Sequence, residues 1–413
     1  MALAVLRGGR AAALLARGRA RSSGPGPGPF QPQRVAVVAK TTRFEFEQQR
    51  GAEREAALRQ RLATKGSSYC GLLERHHRHT VNVQHVLDSL RKEGIEVRLV
   101  KRRDYTEETV QWADAIVSAG GDGTMLLTAS KVFGRLKPVI GVNTDPDRSL
   151  GHLCLPLKYT HCFSDALRKL QQGEFRWQWR QRIRICLEGV GFNATPVDLH
   201  EQQLSLEQHT TAHRKATNNG VGSRVSDQSK LLPVRALNEV FVGESLSSRP
   251  SYYEISIDNG PWEKHKNSGL NVCTGTGSRA WSYNINKLAS QEVEDLLLIA
   301  QKRGHVALQM DRESVEQVTD HYNDSLIFSP EEPRLFFSIR EPIVNRVFTS
   351  TLHRGFTSKM SIRSRCWDAC MVVDGGTSFE FNDGAVATLT VEEEDALCTV
   401  LLEEGIPAKG WDY

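Results

Sequence analysis

Three short clusters in this sequence combine glycine, hydroxyl and acidic residues in ways suited to phosphate and sugar chemistry. The first is Gly120-Gly121-Asp122-Gly123-Thr124, directly after a predicted strand and at the start of a predicted helix. Glycines at such a turn let backbone N–H groups converge on a phosphate, and the helix N-terminus adds partial positive charge. A plain phosphate loop has no need of a central carboxylate, because Asp122 repels the anion unless Mg²⁺ or an incoming hydroxyl stands between them. The acid suits phosphoryl transfer; the alternative is a tight turn in which Asp122 caps its own helix. The second cluster is Thr274-Gly275-Thr276-Gly277-Ser278-Arg279-Ala280-Trp281. Read as G-x-G-x-x-A it imitates a dinucleotide fingerprint, with Glu292 and Glu294 near the spacing of a ribose-binding acid. Context defeats that reading, since a βαβ unit needs its next strand within about 30 residues and the chain runs through two polar helices before Leu335. Loop backbone and hydroxyls that contact a nucleotide remain, set against a purely structural turn. The third cluster, Asn238-Glu239, opens the β segment NEVFVGE, where an amide beside a carboxylate can grip vicinal ribose hydroxyls. Taken alone, that pair reads more simply as an exposed strand end.

Other reactive residues read as structural. His76, His77, His79 and His85 have helical spacing but no carboxylate or cysteine at metal-ligand spacing, so a solvated helix face is expected and no metal ligand is assigned. Cys366 and Cys370 read as core thiols near a strand. Asp374-Gly375-Gly376 and Asn382-Asp383-Gly384 read as hairpin turns.

Elements able to position these clusters alternate early and change character later. Arg34 to Ala39, Glu96 to Val100, Ala115 to Ser118 and Pro138 to Val142 read as short buried strands. They are separated by a helical stretch from Arg43 to about Gly94 with a break near Gly66, a short helix from Thr106, and a helix from the Gly-rich turn to about Phe133. Strand and helix alternating at this spacing predict a parallel sheet with right-handed crossovers. From about residue 155 the pattern becomes mainly β. Phe175 to Ile185 alternates, with Trp177, Trp179, Ile183 and Ile185 on one face and Arg176, Arg180, Arg182 and Arg184 on the other, as in a single half-buried antiparallel strand. Further strands are predicted at Glu239 to Val242, Tyr252 to Ile257, Leu270 to Cys273, Leu335 to Ile339, Lys359 to Ile362, Ala369 to Val373 and Ala385 to Thr390. Residues 203 to 230 read as a long polar insertion and 290 to 325 as an insertion of two amphipathic helices. The acidic stretch from 391 reads as a final helix and tail. No internal repeat is present.

The 413 residues are 39% hydrophobic and 25% charged, which excludes a wholly disordered or collagen-like chain. No aliphatic run approaches the roughly 20 residues of a membrane helix. Of the 53 basic residues, six arginines lie in residues 1 to 34 with no lysine or acid, leaving 47 against 49 acids in the rest. The N-terminal segment has the composition of a mitochondrial transit peptide with a Gly/Pro linker, so the matrix is expected. A slightly acidic body does not suit a nucleic-acid partner. The eight scattered cysteines read as thiols in a reducing compartment.

GGDGT, then NE ahead of a β segment, then TGTGS ahead of a helix resemble, in that order, the NAD kinase family over about residues 35 to 390. GGDGT alone is shared with diacylglycerol kinases and, loosely, phosphofructokinases, so the specificity lies in the trio. The resemblance implies an N-terminal α/β domain with a parallel sheet (35 to 155) and a mainly antiparallel β C-terminal domain (156 to 390) meeting at a cleft. There ATP, with Mg²⁺, phosphorylates the adenosine-ribose 2′-hydroxyl of NAD to give NADP. It also implies Asp122 as general base, and Gly120, Gly121 and Gly123 with the adjoining Thr124 at the phosphates. Asn238, Glu239 and the loop residues Thr276, Gly277, Ser278, Ala280 and Trp281 are implied to hold the dinucleotide. A homodimer is expected, with no membrane or nucleic-acid partner. Departures from the family pattern stand at Gly275, Arg279 and Trp281, where it usually shows Pro, Thr and Tyr, and at Ser268, where it usually shows Asp. Leu150-Gly151-His152-Leu153 stands for the usual L-G-F-L. Three rival readings are carried: a lipid kinase, which shares GGDGT; a non-catalytic NAD sensor; and a nicotinamide-dependent oxidoreductase, disfavoured by the missing βαβ unit.

Overall fold

A computed structural model of the chain describes residues 28–51, 54–205, 229–304, 311–349 and 352–402. Most of the expected transit segment and of the polar insertion, and the last eleven residues, lie outside them.

Four strands form the parallel sheet anticipated from their spacing, three of them buried as expected and the fourth, Glu96–Val100, an edge with Glu96, Arg98 and Leu99 exposed. The sheet order is Glu96–Val100, Arg34–Ala39, Ala115–Ala119, Val139–Val142, with register pairs such as Val37↔Val117 and Val117↔Ile140. Helices Arg43–Gly51, Glu55–Thr64 and Tyr69–Lys92 fill the stretch between the first two strands, the last capped by the Ser68 hydroxyl accepting from Gly71 N. Val83, Val86, Leu87 and Leu90 recur on one side of Tyr69–Lys92 and pack on Val35, Val37 and Val117. Of the four histidines of that helix, His77 is exposed as expected, but the other three are not a solvated face. His79 is buried against Thr144, which lowers its pKa to about 4, His76 bonds Thr42, and His85 accepts from Phe163 N. The helix Phe163–Gln172, absent from the sequence reading, joins the same core through Phe163, Leu167 and Leu170.

Two antiparallel sheets of six and seven strands follow. They pack face to face over Ile185, Leu187, Val240, Val272, Phe337, Met371, Phe379 and Ala387, all fully buried. Each large aliphatic or aromatic side chain buried there contributes about 1.5–3 kcal/mol. Leu270–Cys273 sits mid-sheet between Glu239–Glu244 and Leu335–Ile339, antiparallel to both. The turn after Cys273 is therefore not part of a parallel βαβ unit. The insertion 290 to 325 forms helices Ser290–Gly304 and Arg312–Ser325.

Two expectations are corrected. Phe175 to Ile185 is two strands, Arg176–Arg180 and Ile183–Gly189, lying in different sheets. The reason is Arg182, only 1% exposed, whose guanidinium turns inward to the carbonyls of Asp395, Ala129 and Val132. The other arginines do not form a free basic face: Arg176 pairs with Glu331, and Arg184 with Glu394 and Asp395. The acidic stretch from 391 is also not a helix. After a short 3-10 turn at Glu393–Asp395, Leu397–Leu401 is a strand paired with Arg176–Arg180. Leu397, Cys398, Thr399 and Leu402 are buried, and a run of consecutive buried residues favours a strand.

Candidate functional site

Ala115–Ala119 delivers the chain to Gly120, and the helix Asp122–Ser130 starts two residues later. Gly120 is required because a Cβ there would lie 2.2 Å from Thr124 Oγ1 and 3.1 Å from Lys40 Cβ. Gly121 is extended and caps the helix without a side-chain bond, leaving first-turn amides for an anion. Asp122 does not cap its own helix. Its carboxylate accepts from the backbone amides of His152 (3.2 Å) and Leu153 (2.9 Å), so the segment Leu150 to Leu153 fixes its orientation. Beside the turn, Lys40 continues the first strand and pairs with Asp145 at 3.5 Å. The other carboxylate oxygen of Asp145 is buried and without a hydrogen-bond partner.

Asn238 and Glu239 are not an exposed strand end. They are 7% and 8% exposed, and Asn238 Oδ1 and Glu239 Oε2 are buried without partners. Burying unsatisfied oxygens costs about 1–3 kcal/mol each, and a ligand's donor groups can satisfy them. Burial and the nearby Asp374 charge raise the Glu239 pKa to about 8. Asp374 presents the pair. In a left-handed conformation (φ 50°) it accepts from the amides of Leu237 (2.8 Å), Asn238 (2.7 Å) and Glu239 (3.1 Å). The Asp-Gly-Gly turn joining Ala369–Val373 to Thr377–Phe381 is thus both a hairpin turn and the clamp behind Asn238-Glu239.

The loop after Leu270–Cys273 packs onto the same backbone. Thr274 donates through N to Asn238 O (3.0 Å) and through its hydroxyl to Leu237 O (2.6 Å). A Cβ on Gly277 would lie 2.1 Å from Asn238 O, and one on Gly275 would lie 1.8 Å from Ser329 O. Residues returning from the insertion helices strap the loop from outside: Phe328 N donates to Ser278 Oγ and Gln181 N to Pro330 O. Past the loop, Trp281 opens the helix Trp281–Asn286 and stays 42% exposed. Its ring lies 4.7 Å from that of Phe241, and Arg340 stands over both. Ala280 is half-buried between the loop and this aromatic platform. The backbone carbonyl of Arg340, 3.1 Å away, accepts from Ser268 N, at the position where the family pattern has an acid.

The Gly-rich turn and the glycine loop are linked by Arg180, whose Nη1 lies 3.4 Å from Thr276 Oγ1 and whose charge interacts with Asp122. A cleft of about 880 Å³ opens beside Gly123 and reaches Asp374, with Leu126, Arg102 and Arg235 among its walls. Among the described residues no group of three or more His, Cys, Asp and Glu could hold a metal ion, and no helix is long and apolar enough to cross a membrane.

The structure thus brings together three clusters separated by more than a hundred residues in one case and dozens in the other. Sequence reasoning missed Asp374, Arg180, Lys40, Phe241 and Arg340. Only Asp374 carried a signal, an acid opening a Gly-Gly turn; Phe241 lies two residues past Glu239 in the same strand, Lys40 and Arg340 follow strands paired with those that carry the clusters, and Arg180 comes in from a separate two-stranded sheet.

The chain is 68% identical over 378 residues to the Homo sapiens protein named NAD kinase 2, mitochondrial, covering 91% of this chain and 85% of the relative. Identity is 67% over 378 residues to the Rattus norvegicus protein of that name (91% and 89% covered) and 64% over 394 residues to that of Xenopus tropicalis (91% and 92%). Among solved structures, an NAD kinase from Archaeoglobus fulgidus in complex with ATP matches with a TM-score of 0.50 at 17% identity, over 90% of this chain and 94% of that one. Yeast NADH kinase complexed with NADH matches with a TM-score of 0.51 at 14% identity, over 91% and 85%. At those identities the structural likeness is one of fold. No family model matches the chain.

Proposed function

The chain belongs to the NAD kinase family, and we propose that it transfers the terminal phosphoryl group of ATP to the adenosine-ribose 2′-hydroxyl of NAD, giving NADP, with Asp122 as general base. The observation that carries this reading is the pairing of two unpartnered buried oxygens, on Asn238 and Glu239, with a carboxylate at a Gly-rich helix start across the same junction. The first set suits hydroxyl donors of a ribose; the second suits a hydroxyl that must lose a proton beside phosphate. Positioning and charge compensation supply most of the catalysis in phosphoryl transfer. Gly121 and Gly123 hold phosphate oxygens through backbone amides and Thr124 through its hydroxyl, while Gly120, whose own N–H donates to Val142 O, lets the turn close around them. Asn238 and Glu239 hold ribose hydroxyls, and Thr276, Gly277, Ser278, Ala280 and Trp281 form the wall against the dinucleotide. The cleft beside Gly123 has room for the rest of a nucleotide.

Mg²⁺ fits this donor set as a partner of the triphosphate and not as a resident ion, because it takes one or two carboxylates together with substrate phosphates. Asp145, with its unpartnered buried oxygen, is the carboxylate that suits it. When bound, the ion neutralises charge on the phosphates. A lipid kinase finds less support, because the aromatic platform of Trp281 and Phe241 suits a planar ring. An intact Asp122 held for chemistry weighs against a sensor. The relatives' names together with the Arg-rich, acid-free N-terminus support a mitochondrial location, in the matrix. Leu296, Ile299 and Val318 are exposed apolar residues on the insertion helices, and we propose that they cover one another in a homodimer.

The test is to incubate residues 35 to 413 with Mg-ATP and NAD and to assay NADP with an NADP-specific dehydrogenase. NADP accumulates if the reading is right; no NADP, with phosphate appearing on a lipid diol instead, overturns it. Light scattering of the same preparation gives twice the chain mass for the dimer, and a single-chain mass removes that part.

A further inference from the structure

Four arginines lie within nine residues of each other on the strands around residue 180, and three have their charges answered. Arg176 pairs with Glu331 at 3.1 Å, Arg182 is bonded to three carbonyls, and Arg184 meets Glu394 and Asp395. Arg180 differs. It forms no ion pair with any described residue, its Nε is buried without a partner, and its one hydrogen bond among the described residues is the long contact to Thr276 Oγ1. Of the two acids whose charge reaches it, Asp122 is held by the amides of His152 and Leu153, and Glu331 is engaged by Arg176 and by Trp179 N at 3.2 Å. Burial lowers the Arg180 pKa to about 10. A cation withdrawn from water without a directly paired counter-ion is costly, and a bound anion can supply the missing partner.

Its location indicates which anion. Arg180 lines a cavity of about 390 Å³ together with Gly151, His152 and Leu153, and the last two supply the amides that hold Asp122. Thr276, on its other side, belongs to the glycine loop. Arg180 therefore stands between the proposed base and the proposed dinucleotide wall, where a transferring phosphoryl group carries the most negative charge and where Lys40 is already engaged with Asp145.

We propose that Arg180 is a phosphate-binding residue, whose guanidinium receives phosphate oxygens of a bound nucleotide between Asp122 and Thr276. The proposal rests on the kinase reading above. Phosphate oxygens reach this point from two sources, the triphosphate of the donor and the pyrophosphate of the dinucleotide, and the guanidinium fork suits either.

The test measures ATP and NAD binding separately, by calorimetry on the full chain, for wild type, Arg180→Met and Arg180→Lys, alongside NADP formation. Arg180→Met is expected to weaken binding of one of the two nucleotides by about 10- to 100-fold, the loss of one charged hydrogen-bonding group. Arg180→Lys recovers part of it, and the nucleotide affected identifies the source. Melting of the ligand-free protein separates this role from a structural one. Removing an unanswered buried charge leaves the melting temperature of Arg180→Met unchanged or raised, while the rise caused by the affected nucleotide shrinks. A lowered melting temperature with both affinities intact makes Arg180 a support for Thr276 and overturns the proposal, as do unchanged affinities at an unchanged melting temperature. Should wild type form no NADP, the kinase reading fails by itself, and the binding comparison still decides the role of Arg180.

Discussion

Turnover of an Asp122→Asn variant is expected to fall by about 10²- to 10⁴-fold, with NAD affinity near that of wild type. A sugar hydroxyl does not give up its proton unaided at neutral pH, and asparagine keeps the shape of the side chain while removing its basicity. The geometry adds a second consequence. Both Asp122 oxygens accept backbone amides, from His152 and Leu153, whereas the amide nitrogen of asparagine cannot accept. One of those N–H groups loses its partner, so Asp122→Asn also loosens the segment Leu150 to Leu153. Steady-state NADP formation reads the first effect, and thermal melting beside calorimetric NAD binding reads the second. Near-normal turnover would reject Asp122 as the base.

A single methyl group at Gly277 is expected to do comparable damage by a different route. The added Cβ of Gly277→Ala would meet Asn238 O at 2.1 Å, Asn238 C at 2.6 Å and Asn238 Cα at 3.0 Å. All three are backbone atoms, pinned from behind by Asp374, so the overlap cannot be relieved by turning a side chain. Overpacking of this kind costs about 1–3 kcal/mol. Displacing the loop from Asn238 by about 1 Å lowers kcat/KM for NAD by about 10²-fold. Gly123→Ala is the control for stability, because nothing lies within 4 Å of a Cβ there. Melting curves and kinetics of the two variants test this; a Gly277→Ala protein as stable and active as wild type would show that the loop and Asn238 are free to separate.

Where the pattern was local, the sequence was informative. The four parallel strands, the glycine turns at their strand ends and the strands Leu270–Cys273, Leu335–Ile339 and Ala369–Val373 follow from short apolar runs bounded by turn residues. Strands without an apolar run of their own, or with a distant partner, did not show. Glu263–Asn267 reads EKHKN because it is the edge of its sheet, paired only with the preceding Ser251–Ile257, and Leu397–Leu401 reads as part of an acidic helix until it pairs with the distant Arg176–Arg180. The alternation around residue 180 was misleading for a related reason: it registers which positions are charged but not that Arg182 is buried and bonded to carbonyls from two other segments. The candidate site divides in the same way. Asp122, Asn238 and the loop from Thr276 are contiguous motifs with their own chemistry. Asp374 and Arg180 matter only because folding puts them behind or between those motifs, 136 residues from Asn238 in the first case and 96 from Thr276 in the second.

The carbonyl of Ser329 lying 1.8 Å from where a Gly275 Cβ would stand also bears on which substitutions this sequence can accept singly. The family pattern has proline at that place, and no residue with a Cβ fits beneath the strap that returns from the insertion helices. Glycine at 275 and the strap are therefore not independent substitutions. A loop that kept its proline could not have accepted the strap in this position, and a chain that has the strap cannot regain the proline alone. The two interlock: a proline restored at 275 would require the Ser329 carbonyl, and with it the strap, to move away from the loop.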